Sequence, residues 1–389
     1  MISPLADAYN KDPDPQKILL GIGVYRDDDG LPWVLPSVRK AERQLTAKDL
    51  NHEYALPHGI PDFLQHALRF AYGEDSVPLK EMRIAAVQTM SGTGACRLAA
   101  ELFAKVRGHG AAVYLPQQTW GNHEPILTDA GLVARHYRYY DPATCGLDFE
   151  GLLEDIDRAL DGSIVLLHAC AHNPTGVDPT PEQWREISAL IKRKNHFVLF
   201  DCAYQGFASG DAEWDAAALR QFVADGHRVA LAHSFAKNFG LYGERVGSLS
   251  VVCADPDEAA RVASHLTLLI RSMYLSPPIH GARLVSEVLG SPELFGMWQE
   301  DCQTMARRIA GIRRRLREEL EGRLGSRRGW RHVTEQVGMF CYTGLSLEEV
   351  AALRRDAHVY MLADGRISMA GLNSGNVARV AESIFKVTG

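Results

Sequence analysis

No stretch of this chain is apolar for the ~20 residues that a membrane-crossing helix needs, and its seven cysteines form no CxxC pair. The first absence leaves no candidate spanning helix. The second removes the commonest zinc and dithiol spacings, and an odd number of cysteines lying mostly in apolar runs suits buried thiols in a reducing compartment. Excess charge of one sign is missing too: 42 Lys and Arg against 48 Asp and Glu give a formal charge of -6, so neither nucleic acid nor an anionic membrane has an electrostatic footprint here. The opening "MISPLADAYNKDPDPQK" has no basic region followed by an apolar one, nor the Arg-rich, acid-poor pattern of a transit peptide, and the expectation from it is a soluble, cytoplasmic protein. Repeats, low-complexity tracts and Gly/Ser linkers are also lacking, so two domains, which 389 residues allow, must share one continuous fold.

What is present is alternation. Between about residues 84 and 270 the apolar runs "RIAAVQTM", "AAVYLP", "SIVLLHAC", "FVLFDCAY", "RVALAHS" and "GSLSVVC" alternate with helical patterns such as "GACRLAAELFAKV" and "TPEQWREISALIKRK". Apolar strands separated by helices predict an α/β fold whose parallel sheet is covered on both faces, with ligands gathering at the carboxyl ends of the strands. From about residue 293 a long helical run places Met305, Ile309, Ile312, Leu316 and Leu320 on one stripe, and its arginines interleave with Glu318, Glu319 and Glu321 as on a solvated face. The tail, with "GMFCYTGL", "SLEEVAALRRDA", "VYMLADGRISMAG" and a last helix from Asn373, reads as a small α+β domain.

Four places could carry chemistry. Ser91-Gly92-Thr93-Gly94 stands between a strand and a helix, where backbone N–H groups can cradle a phosphate, although a tight turn without ligand explains the same four residues. Asp201 ends an apolar strand, with Tyr204 three residues on; a buried carboxylate there needs a partner, unless it only caps a helix. His168, Cys170 and His172 alternate in "HACAHNPTG" as metal ligands can, but no fourth ligand follows, so no metal is expected, and Asn173-Pro174-Thr175-Gly176 reads as a turn that aims an amide. Lys237, in "SFAKNFGLYGERVG", follows the strand "RVALAH". One lysine alone is most simply a surface residue. A lysine, a buried aspartate and an anion cradle at one sheet edge together fit pyridoxal phosphate: aldehyde on the amine, ring nitrogen on the carboxylate, phosphate in the cradle.

These residues, with "GIGVYRDDDGLPWVLPSVRKAE" near the start and "DGRISMAGLNSGNVARVAESI" near the end, make the chain resemble the class I aspartate aminotransferases, fold type I pyridoxal-phosphate enzymes, over nearly its whole length. "HACAHNPTGVDPTPEQW" and "FDCAYQGFASGD" are similar to the eukaryotic branch. The resemblance implies a large domain, residues 32–304, with a mostly parallel seven-stranded sheet between helices, and a small α+β domain from both termini, residues 1–31 and 305–389. It implies Lys237 as the Schiff-base lysine, Asp201 on the pyridinium nitrogen with His123 supporting it, Tyr204 and Asn173 on the phenolic oxygen, and Trp120 stacked on the ring. Phosphate falls to Ser91, Gly92, Thr93, Ser234 and Arg245, and to Tyr54 of a second subunit, which makes the expected enzyme a homodimer.

Arginine grips a carboxylate bidentately, as lysine does not. The resemblance assigns Arg366, helped by the Gly23 backbone, to the α-carboxylate, and Arg271, reaching across the dimer, to the side-chain carboxylate of a dicarboxylic substrate. The implied reaction moves the amino group of L-aspartate to 2-oxoglutarate by a ping-pong mechanism. Departures from the family pattern lie at Leu275 and Ser276 in "YLSPP", at His233, at Asp364 and in a short N-terminal arm. They leave two other uses of the scaffold: transamination of aromatic amino acids, or another pyridoxal reaction such as β-elimination or decarboxylation. A non-enzymatic nucleotide-binding reading finds no Rossmann spacing in "GIGVYRDDDG".

Overall fold

The computed structural model describes residues 4–389. Seven strands form the central sheet: β1 Ile84–Met90, β2 Ala112–Pro116, β3 Val133–Tyr137, β4 Ile164–His168, β5 Phe197–Cys202, β6 Val229–Ser234 and β7 Val246–Val252. Their order is β1-β7-β6-β5-β4-β2-β3. All six apolar runs become strands. The seventh, β3, escapes the residue pattern because "VARHY" is polar and largely exposed at the sheet edge.

The sheet departs from the uninterrupted parallel arrangement at one strand. β7 runs antiparallel to both β6 and β1. Residues 235–245, which join β6 to β7, are too few to hold a crossover helix, so the chain can only turn back. The other neighbours pair in parallel.

Period-two alternation builds the layers. Ile164 and Leu166 of β4 join Leu199 and Ala230 under the helix Ser91–Arg107, while Val165 and Leu167 join Phe200 and Leu231 under the helices that hold Trp184 and Phe222. At the carboxyl ends of β4, β5 and β6, His168, Asp201 and Ser234 emerge at the same edge.

The long helix is Pro292–Arg317, with Met305, Ile309, Ile312 and Leu316 buried as the stripe predicts. One arginine breaks the solvated-face expectation. Arg313 is buried, donating to the carbonyls of Val333 and Gly338 at 2.9 Å each, whereas Arg317 and Arg323 pair with Glu321 and Glu319. The last helix starts at Val377 rather than Asn373, because the Asn373 carboxamide accepts from the N–H of Gly375 and Asn376 and holds a turn ahead of it. The termini meet: Ile18–Leu19 pairs in parallel with Val359–Tyr360, and Phe340–Tyr342 pairs antiparallel with Arg366–Ser368, which sets Arg366 facing the sheet edge. No helix among the described residues is long and apolar enough to cross a membrane.

Candidate active site

The apolar run of β5 carries Asp201 into the interior, where desolvation alone would raise its carboxyl. The opposing effects win: a 3.0 Å hydrogen bond to His123 Nε2 and the nearby rings of His168 and His233 hold Asp201 below the usual carboxylate range. Behind it runs a chain of contacts whose direction follows from proton counting. His168, pushed down to about 3 by burial and by His123, is neutral. The Asn173 N–H donates to His168 Nδ1 at 3.3 Å, so His168 Nε2 carries the proton and donates to Thr119 Oγ1 at 3.2 Å. The Thr119 hydroxyl then donates to His123 Nδ1 at 2.8 Å, and His123 Nε2–H donates to Asp201. Each donor in this chain thus meets one acceptor.

Lys237 lies in the turn that leaves β6. Burial first, then the Arg245 charge, lower its ammonium to about 8. Its Nζ stands 5.2 Å from the Tyr242 ring centroid and has neither hydrogen bond nor ion pair among the described residues. Tyr204 is buried, and desolvation followed by the Asp201 charge raises its phenol, which therefore keeps its proton as a donor.

The helix Ser91–Arg107 begins directly at the end of β1, without a side-chain cap and without an acidic residue in its first turn, so its N–H groups and positive dipole end remain available. Ser91 Oγ lies 3.0 Å from Ser234 Oγ. A Cβ on Gly92 would sit 3.0 Å from the Ser234 Cβ, so a side chain would crowd this corner. Ser91, Arg245 and Ala171 all adopt positive φ, at 61°, 53° and 49°. Left-handed backbone costs roughly 1 kcal/mol per non-glycine residue and persists where the surroundings over-determine it.

Arg366 projects from the opposite side. Its Nη1 donates to Asn173 Oδ1 at 3.0 Å, its guanidinium lies 4.2 Å from the Phe340 ring centroid, and its buried Nε has no partner. No carboxylate pairs with it among the described residues, and burial lowers its pKa. Asp364 accepts from the Arg366 backbone N–H and so shapes the turn rather than neutralising the guanidinium.

One cavity of about 240 Å³ is lined by Gly23, Ser91, Gly92, Thr93, Trp120, Asn173, Asp201, Tyr204, Ser234, Lys237, Arg245 and Arg366. His123 stands behind Asp201, with Trp120 edge-on to it at 5.2 Å. Tyr54, 85% exposed, and Arg271, also exposed, do not line this cavity within one chain. The residue reading missed Thr119 and treated His168 only as a possible ligand; the histidine spacing was visible, but nothing local marks the threonine that links the rings of His123 and His168. Phe340 also lines the cavity unannounced, and so does Cys170, which the sequence offered only as a possible metal ligand. Donor atoms of Cys96, His123 and Asp201 approach within 4.8 Å of one another, yet His123 and Asp201 are already bonded together.

The aminotransferase class I and II family model matches residues 15–384. A mitochondrial aspartate aminotransferase of Dictyostelium discoideum is 52% identical over 381 residues, covering 98% of this chain and 89% of that protein. Among solved structures, a mitochondrial aspartate aminotransferase from Trypanosoma brucei superposes with TM-score 0.95 at 44% identity, covering 99% of this chain and all of that one. An aromatic-amino-acid aminotransferase from Burkholderia pseudomallei, covalently bound to pyridoxal phosphate, gives 0.96 at 38% identity, with 99% and 96% covered. The mitochondrial names overturn the cytoplasmic expectation. Unpaired thiols, six buried and Cys145 half-buried, speak for a reducing compartment without choosing among such compartments.

Proposed function

The chain belongs to the class I and II aminotransferases, and from that premise we propose that it moves the amino group of L-aspartate to 2-oxoglutarate, giving oxaloacetate and L-glutamate by a ping-pong cycle. It is a pyridoxal-phosphate-dependent enzyme of fold type I. The cofactor, when bound, supplies an electron-withdrawing ring that makes the substrate Cα–H acidic. The cavity suits it: an uncapped helix N-terminus and Arg245 for the phosphate, an ionised Asp201 for the ring nitrogen, an unpaired amine at Lys237.

In this reading Ser91, Gly92, Thr93, Ser234 and Arg245 hold phosphate, with Tyr54 of a second subunit. Asn173 and Tyr204 donate to the phenolic oxygen, Trp120 covers the ring, and His123 keeps Asp201 ionised. Lys237, whose amine is largely neutral above about pH 8, is placed to take the proton from the substrate Cα and would hand it on to the carbon that carried the cofactor's aldehyde oxygen. Arg366 and the Gly23 backbone bind the α-carboxylate, and Arg271 of the second subunit binds the distal one.

The single observation that carries the reading is a buried guanidinium without an acid, facing a buried amine whose pKa is depressed, in one cavity. Such a pair waits for a carboxylate next to an amino group. Steady-state kinetics with aspartate and 2-oxoglutarate test it, and Lys237→Ala should abolish turnover. Aromatic donors are the second reading, favoured by the Burkholderia relative and by Leu275, 49% exposed beside Arg271. Phenylalanine outrunning aspartate in a donor panel would decide for it.

The homodimer belongs to the same proposal. Tyr54, Leu56, Leu268, Met273 and Leu275 are exposed, and the two segments that hold most of them are tied together, Ser276 Oγ donating to the Ala55 carbonyl at 2.6 Å and Arg283 to the Asn51 carbonyl at 2.8 Å. The division into residues 32–304 and residues 1–31 with 305–389 is supported by the pairing of Ile18–Leu19 with Val359–Tyr360.

A further inference from the structure

A second cavity, of about 350 Å³, lies on the other side of Cys170, whose side chain lines both spaces. That volume falls within the range of small-molecule sites, roughly 300–1,000 Å³. Its walls include the indoles of Trp184 and Trp214, the latter 63% exposed at the mouth. Two carboxylates face it, Asp178 and Asp215, and neither has a cationic partner. The one basic residue of the lining, Arg185, is held by Glu182 at 2.6 Å. Burial raises both acids, Asp178 to about 6 and Asp215 to about 7.

What these carboxylates hold gives the cavity its interest. Asp178 accepts from the backbone N–H of Ala171 at 2.7 Å and of His172 at 2.9 Å, and the next residue is Asn173. Asp215 accepts from the N–H of Gly206 at 2.8 Å and of Ser209 at 3.3 Å, on the loop that has just presented Tyr204. The two loops that bring Asn173 and Tyr204 into the active site are therefore each pinned by an acid of the neighbouring cavity.

We propose that this cavity is a second binding site, for a small aromatic ammonium ion, and that its occupancy is felt at Asn173 and Tyr204. An anion would meet two carboxylates, and a neutral apolar guest would seal them away from water without a counter-charge. A hard divalent cation needs six or more oxygens, whereas the carboxylate oxygens here already accept backbone N–H bonds and much of the wall is indole, proline and alanine. An ammonium group on an aromatic body satisfies both demands, its charge on the acids and its ring against tryptophan. The inference is independent of which amino donor the enzyme prefers.

The probe is N,N-dimethylbenzylamine, a tertiary amine that cannot condense with the cofactor aldehyde, titrated into the pyridoxal-phosphate-loaded enzyme by calorimetry and tryptophan fluorescence. Expected is saturable binding with a Kd of about 1 mM or tighter. The neutral N,N-dimethylbenzamide should bind about tenfold more weakly, as should the amine to Trp214→Ala, a variant whose turnover without probe is unchanged. Saturating probe should change kcat and KM for the amino donor in a mixed pattern that excess donor does not abolish. Absence of saturable binding overturns the site. Binding of undiminished affinity in Trp214→Ala, or binding that 2-oxoglutarate displaces competitively, places the amine elsewhere and overturns the site equally. Saturable binding with unaltered kinetics overturns the coupling.

Discussion

Thr119 has one hydroxyl proton and two imidazoles to serve, and that scarcity makes it the sensitive point behind Asp201. In Thr119→Val the shape is kept while His123 Nδ1 and His168 Nε2 lose their shared partner, a change worth about 1–3 kcal/mol in a buried setting. Part of that cost falls on the orientation of His123, so cofactor affinity should drop by about tenfold in equilibrium dialysis, with secondary structure intact. An unchanged affinity would show that His123 is positioned by other contacts. Lys237 gives a pH signature of its own. Because its folded pKa, about 8, lies below the usual lysine value of 10.5, the reactive neutral amine falls tenfold per pH unit below about 8. Uptake of pyridoxal phosphate by the cofactor-free protein should therefore quicken with pH up to about 8 and then level, read by stopped-flow absorbance; a flat profile between about pH 6 and 9 contradicts the depressed amine. Both Lys237 and Asp201 were legible in the sequence because a charge at the end of an apolar strand is costly and conspicuous. Thr119 was not, since a lone hydroxyl in a loop leaves no such mark.

At the scale of elements, what local chemistry specifies was legible and what depends on partners was not. The helix Pro181–Arg193 announces itself by a capping box: Thr180 Oγ1 accepts from the Gln183 N–H at 3.3 Å, and the Gln183 side chain accepts from the Thr180 N–H at 2.9 Å, with Pro181 at the first helical position. Thr180→Ala should cost about 1 kcal/mol in denaturant unfolding while kcat stays near native, because the cap touches no residue of the active-site cavity. A large loss of turnover would mean that the helix start is coupled to the site. By contrast, β3 carries no apolar signature, and the reversal at β7 resides in the shortness of a loop that also holds Lys237. The same loop length that prevents a crossover helix keeps Lys237 and Arg245 on one side of the sheet edge, which is why the sheet's one antiparallel strand adjoins the amine.

For the whole molecule the open question is where Arg271 acts. It ends the exposed side of the helix Pro256–Met273 and lies outside the cavity of its own chain, so a role on substrate requires a second copy. Arg271→Ala should lose on the order of 3 kcal/mol of transition-state binding for dicarboxylic substrates and little for alanine. Mixing subunits separates the two geometries. A hybrid of one Lys237→Ala chain and one Arg271→Ala chain has, if the arginine reaches across, one site with an intact lysine from its own subunit and an intact arginine from the partner. Random reassortment makes half of all dimers hybrid, each with one of two sites whole, so two nearly inactive preparations should recover about a quarter of native activity when refolded together. If Arg271 served its own chain, every site in the mixture would lack one group or the other and nothing would return. Recovery by complementation thus reads the dimer and the placement of the arginine in one assay, since a dimer that merely exists, without sharing its sites, restores no activity.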